Sequence, residues 1–301
     1  MDVFKVAKKH GAFFTEDGIE ELEGLDEKEL DELVKKIKEE KPLFIDKNFV
    51  KSVKKPKVEI IELFLKKKNL TIQEFIETLH EYFDYFAQTL ERKMNPLMLV
   101  SISSLREGYY SVIGMVKELN ETEKNVIIEL EDKTGSVKCV VDKRLFKEEY
   151  EQIFIDEVIG VEGKYEKSIF HVKKIFFPEV REPEKIKFKR NTVLYARCEE
   201  DCIKIFINGK LHPLKAAFVS IDSLKLLVFN NQENLHPKIF LKKSTLYPGK
   251  INLSGLIRFP PHVFILARTP SYRGNYRGIK IFGLENKEEI KIDLKTLQEK
   301  I

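Results

Sequence analysis

Residues Tyr110–Val141 read YSVIGMVKELNETEKNVIIELEDKTGSVKCVV, and residues Asp156–Val180 read DEVIGVEGKYEKSIFHVKKIFFPEV. Polar and apolar residues alternate in both, most plainly over Val126–Glu131 and Ser136–Val141. Turn residues punctuate the stretch at nearly even spacing: Asn120, Lys133-Thr134-Gly135, Gly163 and Pro178. A period of two over about 4–8 residues marks half-buried strands. Five or six such strands, with a helix-like insert from Asp142 to Gln152 after the third, predict a small closed barrel of the OB type. Such barrels bind single-stranded nucleic acid or dock proteins, and the fold alone does not choose between these.

On the amino-terminal side, residues 1–93 predict helices. Asp26 and Glu29, and Thr71 and Glu74, have capping-box spacing. Behind Thr71 come Ile72, Phe75, Ile76, Leu79, Tyr82, Phe83, Phe86 and Leu90, a continuous apolar face of about six turns. Pro56 suits a first helical position and Asn69 a carboxyl-terminal cap. Lys51–Lys57 then reads as a hinge between two helical pieces, and residues 94–108 as a connector into the barrel. On the other side, residues 181–184 form a linker. Strands are expected over 191–197, 203–207, 216–221, 225–229, 263–267, 279–282 and 290–294, with a hairpin at Asn208-Gly209.

Three hundred and one residues allow two or three domains with sizeable cores. Hydrophobic content of 43% and aromatic content of 11% are globular values. The charged fraction of 34% exceeds the usual ~25% and is heavy in Lys and Glu, as in thermophile proteins or any well-solvated surface. No apolar run approaches the ~18 residues of a membrane span, and the amino terminus lacks a signal-peptide core. With three Cys, a cytoplasmic protein without membrane contact is expected. The net charge of +4 is unevenly spread: residues 1–95 sum to −3, residues 96–180 to −4 and residues 181–301 to +11. A polyanion should therefore meet the last third.

The words Val112–Val116, Ile128–Gly135, Asp156–Gly163 and Phe176–Val180, in this order and spacing, resemble the OB domain of the small subunit of archaeal family-D DNA polymerase, within the replicative polymerase B-subunit family. Residues 39–46 resemble that family's helical head. Tyr276-Arg277-Gly278 and residues 292–297 resemble its closing segment. Between about Arg190 and Phe259 there is almost no resemblance. The family implies an α+β multidomain fold: a helical head (1–93), an OB-fold β-barrel (96–180) and a β-rich, calcineurin-like phosphoesterase domain (185–301). It also implies a large catalytic polymerase subunit and DNA as partners. The head would serve as a recruitment module, for instance towards a sliding clamp or other replication factors.

The family's phosphoesterase site depends on Asp-x-His, Gly-Asn-His and Gly-His-x-His words. Two cations ~3.5–4 Å apart need bridging carboxylates and several His ligands to activate water. This chain has only His10, His80, His171, His212, His236 and His262, and none stands in such a word. The Asp-x-His position corresponds to Val219–Ser223, around Asp222, where the His is missing. The last His pair is replaced by Ala267–Ser271. At ~120 residues the domain is also short for a complete sandwich. A reduced remnant with no catalytic residues, metals or cofactors is expected. Cys198 and Cys202 make half a zinc site at best. Arg258, Arg268, Arg273, Arg277 and Lys280 cluster with Tyr272 and Tyr276 around Gly274 and Gly278, with no Asp or Glu between Arg258 and Lys280. Basic residues interleaved with aromatics grip phosphates and stack bases. The alternatives are a contact with another subunit, or a surface loop with two packing tyrosines.

These readings predict a non-catalytic accessory subunit of a replicative DNA polymerase that holds the large subunit. One rival is a metal-dependent 3′–5′ exonuclease subunit, which the missing ligands oppose. Another is a stand-alone single-strand-binding barrel, which the barrel's negative charge opposes.

Overall fold

The computed structural model describes residues 3–54, 57–63, 71–146, 151–186, 188, 192–207, 209–231 and 235–300. Helices α1 (Val3–Lys9), α2 (Glu16–Leu22), α3 (Glu27–Glu40) and α4 (Lys47–Lys51) gather around two short parallel strands, β1 (Phe13–Phe14) and β2 (Phe44–Ile45). The Asp26 side chain accepts from the Glu29 N–H at 2.8 Å, and the Glu29 carboxylate accepts from the Asp26 N–H at 3.0 Å. This reciprocal box satisfies two donors that a helix start leaves open. Leu33, Ile37, Ile45 and Val50 are fully buried in this small globule, whose described core ends at Val53.

Beyond the globule the chain departs from the helical expectation. Val58–Glu62 is a strand, β3, where a helix was expected to follow Pro56. Its Val58 and Ile60 alternate inwards onto a sheet core contributed by the far end of the sequence. Pro56 and Asn69 lie outside the described residues. The second helical piece, α5 (Ile72–Glu91), starts at Thr71 with the expected capping box. Its Tyr82, Phe86 and Leu90 are buried with Met94 against Ile113, Met115, Val158 and Leu256. The boundary expected at residue 93 thus passes through packed core. β3 and α5 belong structurally with the later part of the chain, because their apolar faces are covered there.

The central stretch closes into a five-stranded barrel of β4 (Gly108–Glu121), β5 (Asn125–Asp132), β6 (Gly135–Asp142), β7 (Val158–Glu166) and β8 (Ile169–Phe176), in the order β4-β5-β6-β8-β7. The inward set, Val112, Val116, Ile128, Leu130, Cys139, Ile159, Val161 and Phe170, is the set that alternation selects. The β7–β8 register shifts at Gly163, where a Cβ would collide with the His171 carbonyl. Of the expected helix-like insert, Lys143–Leu145 forms one 3-10 turn, and residues 147–150 lie outside the described residues.

The last third is a sandwich. One sheet is antiparallel, with β9 (Val193–Cys198), β10 (Ile203–Ile207) and β11 (Lys210–Leu214) running on into β17 (Glu289–Asp293) and β18 (Gln298–Glu299). The other contains β12 (Ala216–Ile221), β13 (Leu224–Asn230), β14 (Val263–Ala267), β15 (Tyr272–Tyr276) and β16 (Ile279–Leu284), with β3 as the outer partner of β12. β13, β14 and β16 run parallel. Helix α6 (Pro237–Lys243) covers the outer face of this sheet with Phe240 and Leu241, so β14 is buried along its whole length. Tyr272–Tyr276 is an edge strand paired with β16, which corrects the surface-loop alternative. No helix among the described residues is long and apolar enough to cross a membrane.

These contacts predict where the chain can be cut. Residues 55–301 should keep one cooperative thermal transition near that of the whole chain. Residues 96–301, stripped of β3 and α5, should lose it and bind a hydrophobic dye. Cooperative melting of both fragments would contradict the packing of α5 on the barrel.

Candidate functional site

Open sheets with parallel strands bind ligands beyond the carboxyl ends of those strands. Here that edge carries Asn230 at the end of β13, and Arg268 and Thr269 just after β14. Asn230 Oδ1 and Thr269 Oγ1 are buried there without a hydrogen-bond partner. Among the described residues, no group of three His, Cys, Asp or Glu is placed to hold a metal ion. Asp222 sits in the β12–β13 turn at φ 52°. Its Oδ1 accepts from the Lys57 N–H at 2.9 Å, and its own N–H donates to the Lys57 carbonyl at 2.9 Å. It secures the end of β3. Cys198 and Cys202 flank the β9–β10 turn, while Cys139 lies in the barrel core, out of reach of a shared metal.

The histidines of this region serve the backbone. His236 caps α6, its Nδ1 accepting from the Lys238 N–H at 3.2 Å. His262 is buried, and its Nδ1 accepts from the Lys225 N–H at 3.0 Å. Its other nitrogen, Nε2, therefore carries the hydrogen and donates to the Glu184 carbonyl at 3.0 Å. Burial pushes the His262 pKa below its ordinary value, because the charged ring would lose its hydration.

The basic segment is not one patch in space. The Arg273 guanidinium lies 2.7 Å from Glu288 and 2.6 Å from Glu299, and it also donates to the Gly283 carbonyl at 2.7 Å. Arg277 pairs with Glu179 at 2.7 Å, and the Tyr276 hydroxyl donates to the same carboxylate at 2.6 Å. Tyr272 packs on the core under α6, with its ring 5.4 Å from that of His236. Arg258 is exposed, 5.9 Å from the Tyr85 ring. Arg268 is exposed at φ 57°, and Lys280 is half-buried on β16. Arg273, Tyr276 and Arg277 are thus tied into the chain, and Arg258, Arg268 and Lys280 are the more available cations. The residues that sequence reasoning missed are the acids: Glu179, Glu288 and Glu299 lie outside the segment they neutralise.

The outward face of β5 and β6 carries Ile127, Glu129 and Glu131 beside Ser136, Lys138 and Val140. Lys117 pairs there with Glu129 at 3.3 Å and Glu131 at 3.7 Å. It offers no aromatic side chain for stacking bases.

A family model described as an OB-fold nucleic acid binding domain matches residues 110–197. The DNA polymerase II small subunit of Archaeoglobus fulgidus is 29% identical over 109 residues, 36% of this chain and 22% of that protein. The DNA polymerase II small subunit of Pyrococcus abyssi is 38% identical over 74 residues, 23% of this chain and 12% of that protein. The chain thus matches less than a quarter of the length of either relative. Among solved structures, the asparaginyl-tRNA synthetase of Pyrococcus horikoshii with asparaginyl-adenylate covers 25% of this chain and 21% of its own, at 22% identity and a TM-score of 0.22.

His262 makes stability depend on pH with a defined sign. Its folded pKa lies below the unfolded value of about 6.5, so the unfolded chain takes up the proton first. The stability contributed is complete above pH 6.5 and is lost as pH falls through the folded pKa. His262→Asn keeps an acceptor for the Lys225 N–H, so its melting temperature should fall less than that of the parent chain between pH 7 and pH 5. An unchanged drop would place the acid sensitivity elsewhere.

Proposed function

We propose that this chain is a non-catalytic accessory subunit of a replicative DNA polymerase. Its barrel and sandwich hold a large catalytic subunit, and the sandwich is a reduced calcineurin-like phosphoesterase domain. The observation that carries the reading is the chain's sequence match to two archaeal DNA polymerase II small subunits. The barrel's ring-free β5–β6 face, and the net charge of −4 over residues 96–180, support a protein partner over a bare strand. At the parallel strand ends stand Asn230, Arg268 and Thr269, where metal-dependent hydrolysis needs carboxylate and imidazole ligands. The small globule of residues 3–53 is a separate core suited to recruiting further replication factors, a sliding clamp among them. DNA contact within the complex falls to Arg258, Arg268 and Lys280, with Arg273 and Arg277 holding the frame.

Co-expression with the large polymerase subunit of the same cell should give one complex in gel filtration. A well-folded chain that elutes alone beside the large subunit refutes the reading. Incubation with Mn²⁺ and 3′-recessed DNA should give no cleavage, and turnover abolished by Asp222→Ala establishes the exonuclease alternative instead.

Within the complex, Arg258→Ala, Arg268→Ala and Lys280→Ala together should flatten the slope of log affinity for duplex DNA against log salt by about one to three, at ~0.9 per lost phosphate contact. Arg273→Ala should lower the melting temperature with little change in that slope. An unchanged slope in the triple variant, with release of the large subunit, assigns these cations to the protein interface.

A further inference from the structure

The cleft between barrel and sandwich holds more cations than its carboxylates can pair. A cavity of about 450 Å³ opens there, flanked by β8, α6 and the turn after β6. Lys93, Lys173, Lys174 and Lys242 line it, and Arg277 joins them through Glu179. Among the described residues, the cavity sets two carboxylates, Glu151 and Glu179, against these five cations. Glu179 is divided among Lys242 at 2.6 Å, Arg277 at 2.7 Å and the Tyr276 hydroxyl at 2.6 Å, with Lys93 at 3.8 Å. Glu151 is also engaged by Lys242, at 3.2 Å.

Lys93 is anchored in this cleft by the backbone. Its ammonium donates to the Phe177 carbonyl at 3.0 Å and the Glu179 carbonyl at 3.3 Å. Burial lowers its pKa to about 8; Glu179 pulls the other way, while Arg277, Lys242 and Arg181 add to the fall. Beside it, Lys173 and Lys174 stand exposed on β8, with the Lys174 ammonium 4.4 Å from the Phe176 ring centroid. A concave site with a surplus of one sign, part apolar and between two domains, concentrates an oppositely charged ligand. We propose that this cleft binds a phosphate group, carried by a nucleic-acid backbone or by a free phosphorylated small molecule. The proposal does not rest on the polymerase reading.

The test measures acylation of Lys93 in the full chain at pH 7, by peptide mass mapping. The probes are inorganic phosphate and a single-stranded oligonucleotide, each compared with chloride at the same ionic strength. A bound phosphate covers the amine and raises its pKa, and one unit of rise alone removes about tenfold of its neutral form at this pH. The expected result is slowing of about tenfold or more by at least one probe. Lys173→Ala with Lys174→Ala, both at exposed positions, should abolish it, while Lys204→Ala on the far sheet leaves it intact. Protection by the oligonucleotide alone assigns the site to a strand, by inorganic phosphate alone to a small molecule, and by both to any phosphate group. No slowing by either probe, or equal slowing in the double variant, overturns the proposal.

Discussion

One buried ion pair pins the barrel to the sandwich. Lys243, at the end of α6, places its ammonium 2.9 Å from a Glu157 oxygen at the start of β7, and both side chains are almost fully shielded from water. Burial drives the Glu157 pKa up and the Lys243 pKa down, and the attraction between the two charges opposes both shifts. The Phe154 N–H donates to the same Glu157 oxygen at 3.1 Å, and the Lys243 ammonium lies 3.7 Å from the Phe177 ring centroid. Such a pair adds little over an apolar contact of the same shape. Losing one partner strands a charge, at a cost of roughly 3–5 kcal/mol. The barrel and α6 therefore cannot slide past each other as two greasy surfaces can. The same helix gives its Leu241 carbonyl to the Val180 N–H at 2.9 Å, which sets the chain's exit from the barrel.

The parts of the fold legible in the sequence are those whose causes are local. The barrel strands announce themselves by alternation, and Asp26 and Thr71 by a glutamate three residues on. β14 is legible because five apolar residues in a row suit a strand covered on both faces. β3 is not legible, because its hydrogen bonds are made to β12, far along the chain, and its five residues resemble the helical text around them. β15 hides for a related reason. Tyr272, Arg273, Gly274, Asn275 and Tyr276 have turn composition, yet each has a register partner on β16, and pairing overrides propensity at a sheet edge. The seven residues of α6 are too few for periodicity to show. Their local mark is His236 as cap, followed by Pro237 at the first helical position.

The candidate site was legible as composition but not as electrostatics. Five cations between Arg258 and Lys280 with no acid among them look like a phosphate-gripping run. What a charge run does depends on what folding sets opposite it. Folding sets Glu288 and Glu299 against Arg273, and Glu179 against Arg277, from positions that spacing cannot connect. The count of +11 over the last third therefore overstates the field that part of the molecule projects, because some of its cations face carboxylates of the barrel exit. The absence of Asp-x-His and Gly-His-x-His words is by contrast a purely local fact. The structure adds to it the backbone partners that occupy Asp222, His236 and His262.

Two carboxylates at the same joint show how solvent decides what an ion pair does. Glu157 faces one cation in a dry setting, so a change in either partner is costly and the contact acts as a fixed pin. Glu179 is reached by three cations and a phenol at the rim of an open cavity. Hydrogen bonds from Lys242 and Tyr276 hold its pKa below the ordinary value although burial pushes the other way. There water and counterions reach the groups, so no single partner is indispensable and the surplus of positive charge persists. A joint built only of dry pairs would be rigid but closed to ligands, and one built only of wet pairs would be open but loosely aligned. With Glu157 fixing the alignment, the Glu179 cluster is left as a half-buried, positively biased cleft between two domains.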